Sequence, residues 1–173
     1  KTLTTLLMSL CFLGASASGL VKYELKVNEF HELKVVDAIR VVYSSSTDSA
    51  GMAVFTCPSE QASALIFNNK GGKLSMQIST ESVGSKDLPV VYVYSSYLNK
   101  IENSGDSLVK AVRITECPKF TATLIGNGRL SVPYVKATEV NAAIQTGNGT
   151  LVVVNVSGLM SNSWEPALFR LMS

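Results

Sequence analysis

The chain has 173 residues, 46% of them apolar and 16% charged, with a net charge of +2. That is material for one domain with a sizeable core. Acidic and basic residues are interspersed, with no basic stripe, polybasic tail or aromatic RNA-binding signature, which argues against nucleic acid and anionic lipid as partners.

Lys1 precedes a mostly apolar run from Leu3 to Leu13 and then Gly14-Ala15-Ser16-Ala17-Ser18. A positive start, a short apolar stretch and an Ala-x-Ala site describe a secretory signal peptide over 1–17, cut after Ala17. The stretch is too short to span a bilayer comfortably, so no integral membrane segment is expected after cleavage. Cys11 follows Leu10 rather than a small residue, which argues against lipid attachment. Cleavage leaves Cys57 and Cys117, each followed by Pro. Export permits a disulfide between them; the alternative is two buried thiols. Cys-x-x-Cys spacing and His partners are lacking, so no zinc site is expected.

The alternation of apolar and polar residues predicts strands over Val21 to Val27, Leu33 to Val36, Ala38 to Tyr43 and Gly51 to Thr56. Pro58 closes the last of these, because proline cannot donate to a central ladder. Ser59 to Leu65 is the one stretch that suits a short helix, with Ala, Glu and Gln behind a capping Ser. Asn69-Lys-Gly-Gly-Lys makes a hairpin turn into Leu74 to Ser79, whose Leu74, Met76 and Ile78 share one face. A polar loop from Thr80 to Leu88 leads to a strand from Pro89 to Tyr94. There Tyr92 and Tyr94 fall on one face, where they stack on a sugar ring if exposed or pack inside if not.

From Leu98 to Val156 one phrase comes round three times. An alternating run reaches Ser104-Gly105-Asp106, then Gly126-Asn127-Gly128, then Gly147-Asn148-Gly149, with another apolar run after each. Gly105, Gly126 and Gly147 fall 21 residues apart. A period near 20 residues signals a repeat architecture. The Leu-x-x-Leu-x-Leu frame of a leucine-rich repeat is absent. Val, Ile, Thr and Leu suit strands, and Gly or Asn suits corners that need positive φ. The expectation is an all-β, right-handed parallel β-solenoid of 21-residue coils over 18–156, with a long flat antiparallel sheet as the alternative. The lead-in over 20–97 should cap one open edge. The tail over 157–173 carries the only Trp, has no Gly-Asn corner, and reads as irregular, either a cap or a truncated or frameshifted end.

Chemistry is sparse. His31 has only Glu29 and Glu32 beside it and reads as a solvated loop residue rather than a general base. Gly-x-Ser-x-Gly is absent, and the Gly-Asn-Gly corners lack the Lys-Ser/Thr of a phosphate loop. Glycoside cleavage needs paired carboxylates, whereas Glu102, Asp106, Glu116 and Glu139 are isolated. Asp106 occupies the corner place of Asn127 and Asn148. Asn148-Gly-Thr and Asn155-Val-Ser match the glycosylation sequon. No catalytic residue, cofactor or metal ligand is expected.

Phe30-His-Glu-Leu-Lys-Val, Ile39-Arg-Val-Val-Tyr, Leu74-Ser-Met-Gln-Ile, Lys100-Ile-Glu-Asn-Ser-Gly-Asp-Ser and the two Gly-Asn-Gly corners resemble the putative auto-transporter adhesin head GIN domain. The likeness runs over about residues 28–156 and rests on structural motifs. It implies a right-handed β-solenoid, export in a Gram-negative bacterium and an adhesin-like role, and it supplies no catalytic residues. The resulting expectation is a non-enzymatic envelope protein, on the cell surface or in the periplasm. Its partner would be a glycan or another surface protein, met through Tyr92, Tyr94, Asp106, Asn127 and Asn148. The alternatives are a polysaccharide-active β-helix enzyme and a purely structural scaffold.

Overall fold

The computed structural model describes residues 19–79 and 88–156 in full and the backbone of 167–172. The signal segment 1–17, Cys11, the polar loop over 80–87 and the stretch 157–166 with the single Trp lie outside the described residues.

The fold is all-β, as expected, in two facing mixed sheets. In chain order the strands are β1 (Leu20–Lys26), β2 (Glu32–Val35), β3 (Val41–Ser45), β4 (Met52–Pro58), β5 (Leu65–Lys70), β6 (Lys73–Ile78) and β7 (Val91–Ser95). They continue with β8 (Lys100–Asn103), β9 (Leu108–Arg113), β10 (Cys117–Ile125), β11 (Arg129–Val135), β12 (Ala137–Thr146), β13 (Thr150–Asn155) and β14 (Ala167–Met172). The helix α1 is a single turn, Ser59–Ala62. It is shorter than expected because Leu65 already begins β5, whose Leu65 side chain is buried.

One sheet runs β1-β4-β7-β3-β9-β11-β13-β14 and the other β12-β10-β8-β2-β6-β5. Their centres are parallel: β7, β3, β9, β11 and β13 in the first, β6, β2, β8, β10 and β12 in the second. Antiparallel strands close the sheets, with β4 and β1 beside β7, β5 beside β6, and β14 beside β13. Both sheets are therefore mixed, parallel at the centre and antiparallel at the edges. Ala167–Met172, in the tail read as irregular, pairs with β13.

The 21-residue period appears as register. Leu108, Arg129 and Thr150 are mutual neighbours on β9, β11 and β13. Apolar side chains thereby stack in rows between the sheets: Val91, Val41, Val109, Leu130 and Leu151 from one side, Leu74, Leu33, Ile101, Ala122 and Ala142 from the other. All but Ala142 are fully buried. At β5–β6 the expected hairpin is a two-residue turn, Gly71 and Gly72 both at positive φ, the combination that matches strand twist. The end of the core is filled by rings, with Tyr23 stacked on Phe55 and Phe55 on Phe67.

The corners show why the repeat carries glycine. A methyl group on Gly105 would overlap the Asp37 carbonyl, and one on Gly128 would overlap that of Gly105. One on Gly149 would sit 2.6 Å from the Gly128 carbonyl oxygen. Gly126 and Gly147 also need their positive φ of 99° and 85°. Buried Asn103 closes the first corner: its Nδ2 donates to the carbonyls of Ser107 and Arg129, and its Oδ1 accepts from Gly105 N–H.

Cys57 and Cys117 are buried and free, so the disulfide allowed by the sequence is not formed. They belong to different sheets. Cys57 lies on β4, outside β7, while β10 follows β8 and β2 in the other stack. Burial pushes both thiols above their ordinary pKa, with Glu60 adding to it at Cys57 and Glu116 at Cys117.

Two predictions follow from this packing. Gly128→Ala and Gly149→Ala should each lower the unfolding free energy in urea by about 1–3 kcal/mol, the cost of overpacking. Alkylation mapped by mass spectrometry should mark Cys57 and Cys117 only after denaturation, and reductant should leave Tm unchanged.

Candidate functional site

The two outer faces differ in chemistry because strand alternation sends different residues out on each. On the six-stranded sheet, neighbouring strands carry opposite charges at facing positions. Lys34 is 2.8 Å from Glu102, and Lys100 is 3.7 Å from Glu32. Burial raises the Glu102 carboxyl, but Lys34, through its hydrogen bond and charge, and the Ser104 hydroxyl outweigh it and hold it below the usual carboxylate range. These acids are occupied by lysines.

The eight-stranded sheet turns Tyr92 and Tyr94 outward on β7, between inward-facing Val91 and Val93. Tyr92 is 44% exposed; Tyr94 is half-buried. Facing each other across the strands, Tyr92, Val42 and Lys110 form one outward row, and Tyr94, Ser44 and Arg113 a second.

At the carboxyl ends of β3, β7 and β9 this face opens into a groove of about 810 Å³. Its lining is rich in hydroxyls, from Ser44, Ser45, Ser46, Thr47, Ser96 and Thr115, with Tyr94, Asp48 and Arg113 among them. Sequence reading found Tyr94 but missed the rest. The groove unites segments from three parts of the chain, and the Ser44-Ser-Ser-Thr-Asp-Ser run reads simply as a polar turn.

A directed chain of hydrogen bonds fixes the groove floor. Thr115 N–H donates to Ser45 Oγ at 3.0 Å, and Ser95 Oγ donates to the Tyr97 carbonyl at 2.9 Å. Between them the buried Tyr43 hydroxyl lies 3.0 Å from Ser45 Oγ and 2.9 Å from Ser95 Oγ. Since the Ser95 proton is used on Tyr97, Tyr43 donates to Ser95 and Ser45 donates to Tyr43. Burial pushes the Tyr43 phenol up, against the two serine hydroxyls that pull it down. The walls are tied as well: Glu29 Oε1 accepts from Ser96 N–H at 2.7 Å and from Ser96 Oγ at 2.5 Å, and Thr115 Oγ1 donates to the Ser96 carbonyl at 2.9 Å.

The corner residues lie elsewhere. Asp106, Asn127 and Asn148 are exposed at the opposite ends of the strands, away from the groove. Asp106 Oδ1 accepts from Asn127 N–H at 3.4 Å, and Asn127 Oδ1 from Asn148 N–H at 3.0 Å. The Asp106 and Asn127 side chains thus cap the next corner's backbone, which accounts for Asp and Asn at those two positions without a ligand. The structure does not bring this row together with Tyr92 and Tyr94. His31 is half-buried rather than solvated: its ring stacks on Tyr97 at 5.9 Å and covers Gly72.

Among the described residues no group of three or more His, Cys, Asp or Glu is placed to hold a metal. No helix among them is long and apolar enough to cross a membrane.

A family model described as "Putative auto-transporter adhesin, head GIN domain" matches residues 29–162. Among solved structures, a putative adhesin from Parabacteroides merdae superposes with a TM-score of 0.67 at 15% identity, over 79% of this chain and 57% of that one. The chain thus spans little more than half the length of that relative. A putative lipid binding protein from Parabacteroides distasonis superposes with a TM-score of 0.54 at 13% identity, over 80% of this chain and 68% of that one. At such identities the likeness shows the fold alone. No curated protein matches the sequence.

Tyr43→Phe tests the groove floor. It leaves the Ser45 proton without its acceptor in a buried place, at a cost of about 1–3 kcal/mol. Urea unfolding of the variant should show that loss.

Proposed function

Because the chain belongs to the putative auto-transporter adhesin, head GIN domain family, we propose that it is an exported, non-enzymatic binding module of the cell envelope. Its contact surface is the outer face of the eight-stranded sheet, from Tyr92 and Tyr94 into the hydroxyl-lined groove, and its partner is a glycan. The observation that carries this reading is the groove itself. Hydroxyls backed by a fixed network exchange hydrogen bonds with sugar hydroxyls at little cost in ordering, and a half-exposed tyrosine ring offers an apolar face to a pyranose.

Several features support the finer points. The 21-residue register and the stacked glycine corners support reading the parallel strand pairs as coils of a right-handed β-solenoid. The groove lining holds a single carboxylate, Asp48, whereas glycoside cleavage uses a pair. That favours binding over hydrolysis. Asp106 and Asn127 are assigned to corner capping, and with Asn148 they lie away from the groove and outside the proposed contact surface.

Adhesion needs both access and the right surface. Protease applied to intact cells should remove the protein while a periplasmic control survives. Beads coated with the purified chain should bind a glycan-bearing surface, and the Tyr92→Ala, Tyr94→Ala double variant should lose most of that binding. A protected band, or attachment unchanged in the variant, would sink the adhesin reading.

A further inference from the structure

We propose that the groove selects a sugar bearing a carboxylate, with Arg113 as the carboxylate-binding group. This rests on the reading of the groove as a glycan-contact surface. The pairing of β3 with β9 contains a register shift. Tyr43 faces Ala111 on β9, but the next residue, Ser44, faces Arg113, so Val112 is an extra residue in the strand. Ala111 is buried between the sheets. Under regular alternation Val112 would point outward and Arg113 inward, into the core. The bulge cancels that turn and presents both on the outer face, where both are exposed and both line the groove. Bulges re-aim side chains in this way, at a cost in ladder pairing.

The consequence is a row with three different chemistries. Tyr94 faces Ser44, and Ser44 faces Arg113. A phenol ring, a hydroxyl and a guanidinium therefore stand on successive strands, about 10 Å from first to last. A neutral sugar would use the ring and the hydroxyl and leave the guanidinium idle. A planar, permanently charged fork suits a carboxylate, which it binds through two parallel hydrogen bonds.

Lys22, Lys34, Lys100, Lys119 and Lys136 each pair with a glutamate, and Arg40 donates to the Leu88 carbonyl. Arg113, like Lys26, Lys70, Lys73, Lys110 and Arg129, has no ion pair among the described residues, and of these six Arg113 is the one that lines the groove. Asp48, the groove's only carboxylate, accepts from sugar hydroxyls and repels a second negative charge. The site therefore fits one carboxylate per ligand rather than a densely charged polyanion.

The test is calorimetric titration of the purified chain with two pairs, sialyllactose against lactose and the methyl glycoside of galacturonic acid, with its single carboxylate, against its methyl ester. At least one acid should bind ~10-fold or more tightly than its neutral partner, the size of a charge-assisted hydrogen bond. Which pair shows the gap identifies a sialic or a uronic acid. Arg113→Gln should erase the gap between acid and neutral sugar, Arg113→Lys should keep part of it, and Tyr94→Ala should weaken acid and neutral alike. Equal affinity within both pairs, a gap that survives Arg113→Gln, or no binding by any of these sugars would overturn the inference. Attachment that still depends on Tyr94 would then leave the broader adhesin reading standing; attachment indifferent to Tyr94 would remove both.

Discussion

Backbone must meet backbone at the corners, and the rest of the structure depends on that contact. Gly128 lies against the carbonyl of Gly105, and Gly149 against that of Gly128, so closely that a methyl group has no room. This approach sets neighbouring strand pairs one strand spacing apart and fixes which residue faces which. Once the register is fixed, alternation decides the remainder. Valine and leucine rows meet between the sheets, the paired Glu and Lys of β2 and β8 leave by one outer face, and the tyrosines of β7 leave by the other with Ser44, Lys110 and Arg113 beside them. A slip of one residue would exchange those sets. The Asp106 and Asn127 caps reinforce the same register from the exposed side.

The repeat was legible because its cause is local. Glycine at a 21-residue spacing, with alternating apolar residues around it, contains both the strands and the corners. The hairpin at Gly71 and Gly72 was legible for the same reason. The order of strands was not. That β6 and β7 lie outside β2 and β3, while β8 and β9 take the inner side, depends on pairings between distant stretches, and no residue marks it. β5 was hidden because Leu65 continues the helical composition of the preceding residues. At the polar corners an exposed Asp or Asn looks the same in sequence whether it serves a ligand or the next backbone amide, and the hydrogen bonds of Asp106 and Asn127 depend on the stacking of corners 21 residues apart. Arg113 could not have been singled out, since its outward direction depends on a bulge defined only against β3.

The two outer faces illustrate how one pattern yields two surfaces. On the six-stranded sheet the outward positions of β2 and β8 carry Glu and Lys that satisfy each other. Such half-exposed pairs contribute little stability but leave no strong preference for an outside ligand. On the eight-stranded sheet the outward positions around β3, β7 and β9 are aromatic, hydroxylated or singly charged, and the groove lies there. The buried Tyr43 network beneath keeps its floor in one arrangement, so binding would not have to order it first.

The placement of the groove has a mechanical implication. It is built from β3, β7 and β9, near the closed end where β4, β1 and β5 seal the sheets, while the Gly-Asn units pile up on the other side. Each such unit adds about one strand spacing, roughly 4.8 Å, along the stack axis and touches only its neighbours. A further unit inserted among them would lengthen the stalk without altering any residue that lines the groove. Length and groove chemistry are thereby separable in this architecture: the stack can change by whole steps while the residues that line the groove stay constant.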